Sequence, residues 1–103
     1  MKIYRIWFVQ NLNTIFIKEY ECVEKNKTYK VYLINTSVNN SWSVKKEELD
    51  KLNNAWEYMY SLNNDEATLN LFKNLLIEKY NNEAKKIQDK IAHLENSDFK
   101  KYI

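Results

Sequence analysis

The chain has 103 residues, 45% of them apolar and 15% aromatic, with 16 basic and 14 acidic side chains for a net charge of +2. That size supports one modest core and excludes two independent ones, and the aromatic content excludes a disordered segment. It contains no Gly and no Pro, which removes the glycine-built phosphate loops on which several enzyme classes rest.

The first strand is expected over Ile3 to Gln10. The segment MKIYRIWFVQ starts basic, but Arg5 and Gln10 interrupt it and no small-residue cleavage site follows, so it reads as a strand and not as a leader. Thr14 to Glu24 and Thr28 to Ile34, rich in Ile, Val, Tyr and Phe, are the next strands. Asn11 to Asn13 and Asn26-Lys27 are the turns, because Asn tolerates a left-handed backbone in a chain without glycine.

A two-residue second loop makes Lys25 face Thr28, and a three-residue first loop makes Gln10 face Thr14. Tyr4, Ile6, Phe8, Phe16, Tyr20, Cys22, Tyr29, Val31 and Leu33 then form the core face. The opposite face collects Arg5, Trp7, Val9, Ile15, Ile17, Tyr32 and Ile34 beside Lys30, Glu19 and Glu21, which is too apolar for a fully solvated surface. A one-residue slip in either register exchanges the faces. Asn39-Asn40 leads into a short edge strand holding Trp42.

From Lys45 the period turns helical. Leu49, Leu52, Trp56 and Met59 follow a 3,4,3 spacing, with Glu47, Glu48 and Asp50 in the first turns, where a helix dipole favours acid. This predicts helix one over 45–62. Asn63-Asn64-Asp65 breaks it and caps helix two, Glu66 to Glu95, within 65–96. Leu69, Leu71, Phe72, Leu75 and Leu76 form a broad stripe suited to a sheet. Beyond it Tyr80, Ala84, Ile87, Ile91 and Leu94 narrow to a seam near heptad spacing, flanked by Lys85, Lys86, Asp89 and Lys90. Helix one is too short to cover that seam, so a homodimer through these five residues is expected. The tail, 97–103, carries Phe99 and Tyr102 among lysines and is expected to dock weakly.

The whole predicts a single α+β domain over 1–103. Its antiparallel meander, 1–44, has three or four strands and precedes a helical hairpin with a long C-terminal helix.

Candidates for chemistry are few. His93 reads as a solvated residue near a helix end and Cys22 as a small buried hydrophobe, so a Cys22-His93 dyad is outweighed by the structural role of each. One Cys excludes an internal disulfide, and one Cys with one His leaves no metal site to expect. Glu19, Glu21, Glu24, Glu47, Glu48, Asp65 and Glu66 all have structural readings that suffice. One Arg and no glycine-rich motif give nucleotide binding little support, and no cofactor is expected. No apolar run approaches the ~20 residues of a bilayer span, so no membrane partner is expected. A lone cysteine fits a reducing, cytoplasmic setting.

Two surfaces remain. Residues 1–44 carry six basic and three acidic side chains, a net of +3, and a face with Trp7, Tyr32, Arg5 and Lys30 combines rings with charge as single-strand nucleic-acid binders do. No RNP-like motif accompanies it. Aromatics on both sheet faces and an overlong helix favour a protein partner instead, with Trp7, Tyr32, Trp42, Arg5 and Lys30 as contacts.

An aromatic β-meander, an Asn/Asp/Glu break and the Lys/Glu helix EATLNLFKNLLIEKYNNEAKKIQDKIAHLE, in an Asn-, Lys- and Ile-rich chain, resemble the layout of small phage and prophage proteins of AT-rich bacteria. The resemblance covers most of the chain and implies a non-enzymatic inhibitor of host defence, of anti-CRISPR type. Such a protein occupies the surface of a host protein or ribonucleoprotein effector in the bacterial cytoplasm. The missing acidic surplus departs from inhibitors that mimic DNA. A single-stranded nucleic-acid binder is the alternative.

Overall fold

In the computed structural model, residues 1–33 and 40–96 are described, so Ile34, Asn39 and the tail with Phe99 and Tyr102 lie outside the described residues. Among the described residues the strands are β1 (Lys2–Val9), β2 (Thr14–Glu24), β3 (Thr28–Tyr32), β4 (Ser41–Lys45) and β5 (Tyr58–Ser61), followed by one α-helix, α1 (Glu66–Glu95). They form a single antiparallel sheet of five strands in the order β4-β3-β2-β1-β5, curled into a half-barrel.

The β2–β3 register is the expected one: the Lys25 N–H donates to the Thr28 carbonyl at 2.8 Å, and Cys22 lies opposite Val31. The β1–β2 register is not. Gln10–Leu12 winds into a 3₁₀ turn closed by Asn13, whose left-handed backbone (φ 51°, ψ 37°) lets its N–H reach the Gln10 carbonyl at 3.0 Å. That loop is one residue longer than expected, so Val9 and not Gln10 faces Thr14. Ile3, Arg5 and Trp7 thereby share a face with Phe16, Lys18 and Tyr20, while Tyr4, Ile6 and Phe8 turn to the other side.

The largest correction concerns 45–62. The predicted helix one, and with it the helical hairpin, is replaced by β4's last residue, a 3₁₀ turn (Lys46–Glu48), an irregular crossing and β5. Asp50 and Glu57 adopt left-handed backbones (φ 59° and 56°) that no continuous helix accommodates. Tyr58 to Ser61 also alternate, with Met59 and Ser61 fully buried on one side and Tyr58 and Tyr60 on the other, a strand's period of two. The free edge of β1 supplies their hydrogen bonds.

Both sheet faces bury apolar residues. The concave side holds Ile3, Tyr20, Cys22, Tyr29, Val31 and Val44, with Leu33, Trp42, Leu49, Tyr60 and Leu62 packed around them. Leu49 bridges to Tyr60, and the Asp50 N–H donates to the Tyr60 carbonyl at 2.8 Å, which ties the end of the meander to β5. On the convex side Ile6 and Met59 meet Phe72 and Leu76 of α1, flanked by Phe8, Ile15, Leu52, Leu69 and Leu75. Asp65 caps α1, its Oδ1 accepting from the Thr68 N–H at 2.9 Å and from the Thr68 hydroxyl at 2.6 Å.

Only the first half of α1 touches the sheet. Every residue from Tyr80 to Asn96 is exposed, and the helix projects as an arm from a molecule measuring 62 × 34 × 27 Å.

Candidate aromatic and cationic surface

β1 is paired on both sides, and this builds two transverse rows on the concave side. Trp7 lies opposite Phe16 of β2 and Tyr58 of β5; one pair further along, Arg5 lies opposite Lys18 and Tyr60. The Trp7 and Phe16 rings stack at 5.7 Å and 19°. The Arg5 guanidinium carbon sits 4.7 Å from the Tyr58 ring centre and 5.6 Å from that of Trp7, a cation held between ring faces. Tyr58 and Tyr60 meet edge to face at 5.5 Å. Arg5, Trp7, Phe16 and Tyr58 are half-buried and Lys18 is exposed, so the rows are rigid yet accessible. Arg5 Nε is buried and has no hydrogen-bond partner among the described residues.

The other predicted contacts are placed apart from these. Lys30 and Tyr32 lie on the convex side, with the ammonium of Lys30 5.6 Å from the Tyr32 ring centre. Trp42 packs into the concave core, edge to face with Tyr20 at 5.1 Å, and donates its indole N–H to the Tyr60 hydroxyl at 3.1 Å. Burial pushes the Tyr60 phenol up, the Trp42 bond opposing it. The five expected contacts are therefore not one surface: Arg5 and Trp7 stand together, Tyr32 and Lys30 oppose them, and Trp42 is a core residue. Phe16, Lys18 and Tyr58 complete the surface. The Tyr58-x-Tyr60 alternation was the available signal for the last of these.

On the arm, Tyr80, Ala84, Ile87, Ile91 and Leu94 are all exposed. At its base Glu57 clamps α1, accepting from the Lys79 ammonium at 2.7 Å and from the Tyr80 hydroxyl at 2.5 Å. Lys79 first and Tyr80 second hold the Glu57 carboxyl below its usual range, and the same contact raises the Tyr80 phenol. A groove of about 760 Å³ opens beside this base, lined by Phe8, Ile15, Phe72, Leu76, Ile77 and Tyr80 among others.

Cys22 is buried in the concave core, where burial raises its thiol and disfavours the thiolate, whereas His93 is exposed on the arm. The two do not form a dyad. Among the described residues no cluster of His, Cys, Asp or Glu could hold a metal ion, and no helix is long and apolar enough to cross a membrane. Comparison with protein families, curated proteins and solved structures finds no match.

Proposed function

We propose that this is a non-enzymatic protein-binding protein that acts by occupying a surface of its partner. The observation that carries the reading is the row Phe16–Trp7–Tyr58 backed by Arg5. Trp, Tyr and Arg are the residue types that dominate interface hot spots, because rigid rings and a planar cation bury much area at little entropic cost. The strands hold them in place before any partner arrives, which lowers the cost of binding. The resemblance in layout to small phage proteins supports the narrower reading: an inhibitor of host defence of anti-CRISPR type, blocking a protein or ribonucleoprotein effector in the bacterial cytoplasm. With a net charge of +2 the mode of action is occlusion and not imitation of DNA.

A second reading has its own observation. Lys18 and Arg5 lie beside three aromatic residues with no carboxylate among the five, which also suits a single strand of nucleic acid, rings stacking on bases and cations on phosphates. Affinity capture from bacterial lysate, with and without nuclease, separates the two. Under the first reading a stoichiometric protein survives nuclease and is lost with Trp7→Ala; nucleic acid alone, released steeply by salt, replaces it with the second.

A further inference from the structure

Beyond Leu76 the exposed large apolar residues of α1 are not scattered. Ile77, Tyr80, Ala84, Ile87, Ile91 and Leu94 alternate three and four residues apart, the a/d spacing of a coiled coil, and Ile77, Tyr80, Ile87 and Ile91 are 57%, 41%, 58% and 50% exposed. We infer that this face pairs with the same face of a second copy of the chain, with the two arms antiparallel.

The seam is self-complementary in that direction. A twofold axis between Lys85 and Lys86 sets Ala84 against Ile87 of the second copy and Tyr80 against Ile91, small beside large in the central layers. A parallel pair instead sets Ala84 on Ala84 and Tyr80 on Tyr80, leaving one layer underfilled and the next crowded. Charge agrees with shape. Glu83 and Lys90 flank the seam on the same side, and the antiparallel register puts each Glu83 beside Lys90 of the other copy; Asn81 and Gln88 on the second flank are uncharged. Glu83 already meets Lys79 at 3.4 Å, with half its side chain exposed to take a second cation.

The groove at the arm's base supports the same arrangement. Its apolar wall runs from Phe8, Ile15 and Phe72 to Ile77 and Tyr80, so it is continuous with the seam. Only an antiparallel partner brings its distal turn, around Ile91, to the mouth of that groove. This pairing engages the arm and leaves the Arg5–Trp7 surface free on both copies.

Sedimentation equilibrium on the full chain tests the proposal, with circular dichroism to verify the fold. The wild type is expected to be a concentration-dependent dimer, and Ile87→Asp, an exposed change opposite Ala84, a monomer with an unchanged spectrum. Glu83→Lys or Lys90→Glu alone should each weaken association about tenfold, and the double exchange should restore it. In a parallel pair Lys90 faces Glu95, so adding Glu83→Lys would not rescue Lys90→Glu. Failure of that rescue, or a wild type that stays monomeric at high micromolar concentration, overturns the inference.

Discussion

Within the half-barrel Ile3, Ile6, Val31 and Met59 expose no surface, whereas on the distal arm Ile87 and Ile91 are half exposed or more. The same kind of side chain meets two environments because the sheet has two faces to fill and α1 is longer than the sheet is wide. Up to Leu76 the helix covers Ile6 and Met59; from Tyr80 to Asn96 every residue is exposed. Stability thus resides in the head, and the arm carries apolar area that the two described core clusters do not bury. Such area on a projecting helix is characteristic of an interaction surface.

The sharpest way to break this division is at the junction. Phe72 is fully buried between α1 and the sheet, so Phe72→Ala should cost about 3–5 kcal/mol and lower the thermal midpoint strongly. Ile87→Ala should leave the midpoint of a dilute sample almost unchanged, its cost appearing only in self-association. Equal losses at the two sites would mean that the arm belongs to the core.

Trp7→Ala sharpens the comparison within the head. Because Trp7 is half-buried and stacked on Phe16, its loss should weaken partner capture by tenfold or more, about 1.4 kcal/mol. Trp42→Phe, which removes the indole bond to Tyr60, should lower stability and spare binding. Calorimetry beside a capture assay reads both effects.

A smaller effect comes from acid. Asp65 is held low by its hydrogen bonds from Thr68, and Glu57 by those from Lys79 and Tyr80. A carboxylate depressed in the folded state contributes stability that is present above its unfolded pKa and lost as pH falls through its folded one. Thermal midpoints should therefore fall on titration from about pH 6 to about pH 3. Asp65→Asn and Glu57→Gln should each flatten part of that fall, and a slope unchanged in both would remove these contacts from the account.

Part of this organisation was legible in the sequence. The Asn26-Lys27 loop fixed the β2–β3 register because two residues allow only one tight closure. The bounds of α1 and a cap within Asn63 to Asp65 followed from period and capping chemistry, and the structure assigns the cap to Asp65. The β1–β2 register was missed because Gln10 to Asn13 can close as a three- or a four-residue loop, and the left-handed Asn13 decides for the longer. Residues 45–62 misled because Leu49, Leu52, Trp56 and Met59 match a helical stripe by spacing alone. Leu49 and Leu52 instead serve opposite cores, and Trp56 is 78% exposed at the turn before β5. Only the unpaired edge of β1 makes Tyr58–Ser61 a strand, and a tertiary partner of that kind is not written in local sequence. The same error hid Tyr58, and the register slip separated Tyr32 and Lys30 from Arg5 and Trp7.

Hydrogen exchange measured across a dilution series tests the division between head and arm most directly. Amides of the sheet should exchange slowly and equally at every concentration, while those from Tyr80 to Glu95 should be protected in concentrated samples and lose protection together on dilution. Arm amides that stay protected in a dilute monomer, or exchange freely at all concentrations, would contradict the account.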